Sequence, residues 1–358
     1  MLKNKKMDIK QYLQYVIDSK ASDLHLISGI PPTIRVEGEL RALDSSGVLT
    51  PEQISELLKQ TLSSEQLEHL SVNKELDFSF PFSEKGRFRV NAYTQKNSLA
   101  AAFRHIPLDI PDIDALGLPK LLHSFTTLKQ GFVLVTGPTG HGKSTTLAAM
   151  LNEINKTRAA HIVTIEDPIE FVFRANKSII SQREMRADTH SWQVALRSVL
   201  REDPDVVLVG EMRDYETIAA ALTVAETGHL VFATLHTNSA SQTIDRIVDV
   251  FPEEQQKQVR LQLSNVIEAV FSQRLIPSVT KGRVPTYEVM LATTAIRTAI
   301  REGKTHQIES ILETSQEAGM STLERSLADL VKRGIITMET ATSWSLRPEE
   351  LARLVRSV

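Results

Sequence analysis

Eight consecutive residues, Gly137-Pro138-Thr139-Gly140-His141-Gly142-Lys143-Ser144, constrain this chain more than any other feature. They match G-x-x-x-x-G-K-[ST] in full, and the flanking sequence fits the motif. A short apolar run at 132–136 precedes them, and Leu147, Met150, Leu151 and Ile154 follow at helical spacing. Strand, glycine-rich loop and amphipathic helix in that order predict a phosphate-binding loop. Glycines let the backbone close around phosphate oxygens, and the N–H groups at the helix start hold negative charge. The expected ligand is MgATP, with Lys143 on the β and γ phosphates and the Ser144 hydroxyl on Mg²⁺. Pro138, Thr139, Gly140, His141 and Thr145 complete the expected binding segment.

Such a loop needs a sheet to stand on. Further apolar runs occur at 161–165, Val206–Val209 and Leu230–Leu235, separated by helical patterns such as Trp192, Ala195, Leu196, Val199 and Leu200. Strands alternating with helices predict an α/β domain whose parallel sheet is covered on both faces. From about Glu253 onward the chain reads as all helix, with Leu263, Val266, Ile267, Val270 and Phe271 on one apolar face.

The first hundred residues read differently. Ile9, Tyr12, Leu13, Val16 and Ile17 have helical spacing, and residues 51–70 look helical. Ile34, Val36 and Leu40 alternate around Glu37-Gly38, which reads as a hairpin. Leu76, Phe78, Phe80 and Phe82 alternate strictly, as do Phe88, Val90 and Ala92. This predicts a smaller α+β domain with more sheet than helix. The Pro-rich stretch at 106–111 is the linker candidate. The expected division is a domain over 1–105, a linker over 106–118 and a second domain over 119–358 whose C-terminal helices occupy about 253–358.

Bulk properties exclude several classes. Net charge is −3 over 358 residues, so no basic surface for nucleic acid is implied. There is no cysteine, which excludes disulfides and cysteine zinc sites. The basic opening Met-Leu-Lys-Asn-Lys-Lys is followed by no apolar signal stretch. No apolar run approaches the roughly 20 residues of a membrane helix. The expectation is a cytoplasmic protein that inserts into no membrane but can dock on a membrane complex.

In open parallel sheets ligands bind at the carboxyl ends of strands, and the apolar runs end there in polar groups. The run at 161–165 ends in Glu166-Asp167, Val206–Val209 in Gly210-Glu211, and Leu230–Leu235 in His236. A glutamate at that edge can polarise the attacking water. Glu211 is the first candidate and Glu166 the second, against the alternative that each caps a helix or forms a surface ion pair. His229 and His236 flank one strand at an odd separation, so a straight strand would turn them to opposite faces. Arg87 and Arg89 lie on the polar side of their strand, with Arg104 further on. They are either cations for phosphoryl transfer or a solvated strand face.

In this order the residues resemble the type IV pilus retraction ATPases, the PilT family of secretion ATPases. The resemblance covers nearly the whole chain. Ala21-Ser22-Asp23-Leu24-His25-Leu26, Pro31-Pro32-Thr33-Ile34-Arg35-Val36 and Gly86-Arg87-Phe88-Arg89-Val90-Asn91 look like its N-terminal strands. Thr164-Ile165-Glu166-Asp167-Pro168-Ile169-Glu170-Phe171 resembles its Asp box. Leu208-Val209-Gly210-Glu211-Met212-Arg213-Asp214 resembles its atypical Walker B, with Gly where many ATPases have Asp. Glu226-Thr227-Gly228-His229-Leu230 through Leu235-His236-Thr237 resembles its His box. The resemblance implies a PAS-like N-terminal domain and a RecA-like ATPase domain with ATP between them. It implies a homohexameric ring acting on an inner-membrane pilus platform protein. It gives Glu211 the catalytic role, with Glu166 assisting, makes His229 and His236 nucleotide-site residues, and makes Arg89 and Arg104 phosphate-contacting.

Ala295-Ile296-Arg297-Thr298-Ala299-Ile300-Arg301-Glu302 resembles the retraction motif Ala-Ile-Arg-Asn-Leu-Ile-Arg-Glu, departing at Thr298 and Ala299. Arg186 stands where relatives commonly have Gly, and His141 is less usual inside a P-loop. The function implied is an ATP-driven retraction motor of the type IV pilus. An accessory retraction paralogue or assembly scaffold with little turnover, and a nucleic-acid translocase, are the alternatives.

Overall fold

The computed structural model describes residues 8–36, 38–43, 46–82, 86–107, 109–280 and 282–356. The basic opening at 1–6, Glu37 of the expected hairpin turn and Leu108 of the expected linker lie outside the described residues. The chain divides into two compact units, Met1–Asp109 and Ile110–Val358.

In the first unit, helix α1 (Ile9–Asp18) opens with a capping box between Asp8 and Gln11. The same device, which satisfies two orphan N–H groups reciprocally, starts α2 (Pro51–Lys59) with Thr50 and Gln53, and α3 (Ser64–Asn73) with Ser63 and Gln66. Six strands, β1 (Asp23–Leu26), β2 (Thr33–Val36), β3 (Glu39–Ala42), β4 (Glu75–Phe82), β5 (Gly86–Gln95) and β6 (Ser98–Pro107), make one antiparallel sheet in the order β3-β2-β1-β6-β5-β4. The expected alternation holds on β5, where Phe88, Val90 and Ala92 are buried. They share a core with Leu24, Leu26, Phe103 and the α1 residues Ile9, Tyr12, Leu13 and Val16. The linker reading is corrected at its start: Ile106 and Pro107 close β6.

The second unit begins with α4 (Leu122–Thr127), β7 (Gly131–Thr136), α5 (Lys143–Thr157) and β8 (His161–Glu166). There follow β9 (Ile179–Glu184), α6 (Trp192–Val199), β10 (Val206–Val209), α7 (Tyr215–Glu226), β11 (Leu230–Leu235), α8 (Ala240–Asp249) and α9 (Glu253–Val266). The seven-stranded sheet has the order β13-β12-β7-β11-β10-β8-β9, with β12 (Ile267–Pro277) and β13 (Arg283–Leu291). All pairings are parallel except β12 with β13. Alternate residues of β7 go to opposite faces: Phe132 and Leu134 join one apolar core, Val133 and Val135 the other. Burial on both faces is why these strands read as unbroken apolar runs. This is the expected α/β, RecA-like arrangement.

The all-helix reading after Glu253 is overturned at 267–291. Helix α9 ends at Val266 and the next residue, Ile267, already has extended geometry, with φ −62 and ψ 132. No loop separates helix from strand, and β12 is itself buried along nearly its whole length. Leu263, Val266, Ile267, Val270 and Phe271 therefore fit a helical stripe although the last three are in a strand. Helices do follow: α10 (Thr294–Arg301), α11 (Ile308–Thr314), α12 (Leu323–Lys332), α13 (Met338–Trp344) and α14 (Pro348–Arg356). Strand β9 carries Ser181 and Arg183 at the sheet edge and gave no apolar run to read.

Candidate functional site

Strand β7 ends at Thr136 and α5 begins at Lys143, so the glycine-rich loop lies at the carboxyl edge of the sheet between β12 and β11. Gly137 has φ 138, and a Cβ there would sit 2.2 Å from the Gln273 carbonyl oxygen. Any side chain is excluded on both counts. Helix α5 has no side-chain cap, and no N–H of Thr139, Gly140, His141 or Gly142 donates to a protein oxygen among the described residues. Those donors remain for an anion.

Lys143 is buried, and its ammonium donates to the Gly137 carbonyl at 2.7 Å and the Pro138 carbonyl at 3.0 Å. Burial lowers its pKa, while Glu211 and Glu170 act the other way. His236 Nδ1 lies 3.3 Å from Lys143 Nζ and 3.4 Å from Thr139 Oγ1. The other ring nitrogen, Nε2, is 3.0 Å from Glu211 Oε1. A neutral ring with its proton on Nε2 fits both contacts: Nε2 donates to the carboxylate and Nδ1 accepts from the ammonium.

Glu211 also receives Arg213, with Nε at 2.7 Å from Oε1 and Nη2 donating to Oε2 at 2.8 Å. Burial works to raise this carboxyl, but Arg213 and His236 outweigh it and hold it below its usual range. Glu166, on β8 beside β10, is driven the opposite way. Burial pushes it up to about 7, against the lowering effect of donors from Thr164, Gln182 and the Glu170 backbone. Thr164 Oγ1 donates to Oε1 at 2.6 Å and Gln182 Nε2 at 3.3 Å. Two carboxyl groups pushed apart in pKa suit one ionised and one proton-carrying role.

Gly210, the glycine of the atypical Walker B, is packed closely against β8. A Cβ there would lie 3.1 Å from the Ile165 carbonyl oxygen and 3.2 Å from Glu166 Cα. A side chain at this position would need β8 or β10 to give by a few tenths of an ångström. Arg186 has φ 69, a left-handed conformation that Gly adopts without strain. His141 accepts the Leu275 N–H on Nδ1 at 3.0 Å, so the unusual loop histidine is tied to β12.

His229 is not part of this cluster. It precedes β11, and its Nδ1 is 3.1 Å from the Val224 carbonyl and 3.0 Å from Thr227 Oγ1. Within one chain, the full length of the strand separates it from His236. Arg89 and Arg104 are in the first unit, directly opposite each other on β5 and β6. Arg104 Nε donates to Asp23 Oδ1 at 3.0 Å. Asp23 also faces Arg35 across β1 and β2, so its carboxylate offsets the repulsion within a row of three cations. Arg87 Nε donates to the Ser79 hydroxyl. Sequence reasoning missed Gln182, Gln273 and the bidentate role of Arg213. Single glutamines carry no pattern, and Arg213 was visible only as a motif member.

Of the motif resembling the retraction signature, Arg297 is tied into the fold. Its guanidinium donates to the Ser264 and Asn265 carbonyls, each at 2.9 Å, and to Glu268 Oε1 at 2.8 Å, closing the junction between α9 and β12.

A parallel sheet with this loop, a buried loop lysine and a glutamate at the end of a nearby strand defines a P-loop ATPase. The type II/IV secretion system protein family model matches residues 3–343, and the chain belongs to that family. It is 48% identical over 343 residues to the type IV pilus retraction ATPase PilT of Pseudomonas aeruginosa, covering 96% of this chain and 99% of that one. It is also 48% identical over 322 residues to a twitching motility protein of Neisseria gonorrhoeae, covering 90% and 86%. The solved structure of the pilus retraction motor PilT with bound ADP matches with a TM-score of 0.91 at 48% identity, covering 97% of this chain and 99% of that one. No helix among the described residues is long and apolar enough to cross a membrane.

Proposed function

We propose that this chain is the subunit of a homohexameric motor that hydrolyses ATP to retract a type IV pilus. The observation that carries this is the near-complete coverage of a retraction ATPase at 48% identity, on a chain whose P-loop and Glu211 stand ready for the chemistry. The ring works in the cytoplasm against an inner-membrane platform protein, and the N-terminal unit is read as PAS-like.

ATP is the substrate. The segment from Gly137 to Thr145 holds its phosphates through free N–H groups and Lys143, whose ammonium moves from the Gly137 and Pro138 carbonyls to phosphate oxygen. Ser144 is a half-buried residue in the first turn of α5, and its hydroxyl would hold Mg²⁺ together with the phosphates. Bound Mg²⁺ would neutralise phosphate charge. Glu211, ionised, orients and polarises the attacking water, and His236 links it to Lys143. Glu166 stands behind as a proton-carrying group. Arg89 and Arg104 are the cations that reach the phosphates in the assembled ring. The different affinities of ATP and ADP for the ring's conformations supply the work.

Deletion of the gene, with piliation and twitching scored, tests the retraction reading. Excess pili that do not retract are expected. Loss of pili would assign the chain to extension, and unchanged pili would remove it from the machine.

A further inference from the structure

The hairpin of β12 and β13 is the part of the nucleotide site that the proposed chemistry leaves without a role. Ser272 is level with Thr136 in the parallel pairing of β12 and β7. The next residue, Gln273, is therefore level with the start of the P-loop, and it is 3% exposed. Its side chain bridges the two halves of the loop–helix junction. Oε1 accepts the Thr146 hydroxyl of α5 at 2.6 Å, and Nε2 donates to the His141 carbonyl at 2.9 Å. Its own carbonyl oxygen fills the space that a side chain at 137 would need.

The rest of the hairpin acts in the same sense. The Leu275 N–H donates to His141 Nδ1, and Arg283 Nη1 donates to the Gly140 carbonyl at 3.1 Å. Among the described residues, every polar contact from the hairpin to the loop therefore goes to a loop acceptor. The hairpin fixes the peptide planes by their oxygens and consumes none of the N–H groups that phosphate needs. An amide is the one side chain of this length that offers both an acceptor to Thr146 and a donor to His141.

We propose that Gln273 is a positioning residue for the P-loop: it sets nucleotide affinity by holding the His141 peptide and the first turn of α5 in one geometry. This rests on the reading of the loop as the ATP site. Pre-organisation of this kind acts on binding more than on the chemical step, because it removes an ordering cost that nucleotide would otherwise meet.

The test uses the full-length chain in its native assembly. Gln273→Met keeps the volume and removes both hydrogen bonds. The expected result is a KM for MgATP about tenfold higher with kcat within about twofold, and a matching loss in the melting shift induced by MgADP. A merely structural role would lower the melting temperature without nucleotide and leave KM and the induced shift unchanged, which would overturn the proposal. Should Gln273→Met fail to fold, Thr146→Val breaks the same bridge from α5. A raised KM there supports the proposal and an unaltered one overturns it. A wild-type chain that neither binds nor hydrolyses MgATP would overturn the ATP-site reading together with this one. Wild-type turnover with wild-type KM in the variants overturns this one alone.

Discussion

His236 Nε2 stands 3.0 Å from Glu211 Oε1 while its Nδ1 stands 3.3 Å from Lys143 Nζ. One ring thus joins the carboxylate at the end of β10 to the ammonium of the P-loop. Movement of Lys143 onto phosphate would loosen one side of the ring and be felt by Glu211 on the other. If Glu211 handles water as proposed, the histidine is placed to report the presence of nucleotide to it.

His236→Asn removes that bridge, because the shorter amide cannot meet both partners. The expected outcome is a fall in kcat of about tenfold to a hundredfold, the cost of leaving charged partners without their hydrogen bonds. Steady-state ATPase kinetics measure it. Unchanged kcat would make the ring a bystander.

Gly210→Ala places a methyl group against the Ile165 carbonyl, Glu166 Cα and the Trp192 ring, the first two at 3.1 and 3.2 Å. Backbone atoms cannot swing away as side chains do, so β10 must move from β8. A loss of about 1–3 kcal/mol in urea unfolding is expected, with a fall in turnover because Glu211 follows directly. A variant as stable as the wild type would contradict the packing account of the atypical motif.

Glu166 gives a pH signature. Its carboxyl would ionise near the ordinary 4.5 in the unfolded chain but holds its proton up to about 7 in the fold. Between those values the folded state binds more protons than the unfolded state, so this group's contribution to stability is lost as pH rises through the window. Glu166→Gln cannot ionise. Relative to the wild type it is expected to gain up to about 3 kcal/mol between acid and mildly alkaline pH. Chemical denaturation at both ends of the window measures this. A difference between the two proteins that does not change with pH would contradict a raised carboxyl.

Arg186→Gly tests the left-handed position at φ 69. The ion pair lost, to Asp167 at 3.5 Å, involves an arginine side chain 73% exposed and contributes little. Relief of the backbone conformation is expected to stabilise by a few tenths to about 1 kcal/mol. A lower melting temperature would show that Arg186 does something for the fold that its contacts do not reveal.

What could be read from the sequence follows from burial. Strands β7, β8, β10 and β11 are buried on both faces, so each appeared as an apolar run, and the polar residues closing the runs marked the site edge. Glu211, Glu166 and His236 were found that way. Strand β12 escaped because α9 passes into it without a turn, and with it went Gln273 and the P-loop contacts of the hairpin. The spacing of His229 and His236 spoke only to a straight strand that includes both, and β11 includes neither. The family resemblance grouped them, and the structure sets them at opposite ends of β11. Arg89 and Arg104 could be seen as cations, but their facing positions depend on the register of β5 with β6, which no residue pattern fixes.

The central claim is that Glu211 performs the hydrolytic step at a site whose binding belongs to the P-loop. Single-turnover hydrolysis and nucleotide affinity of Glu211→Gln, measured on the assembled protein, test it most directly. ATP affinity within about twofold of the wild type is expected, with a hydrolysis rate lower by about a hundredfold or more. Hydrolysis within a few-fold of the wild-type rate would contradict it.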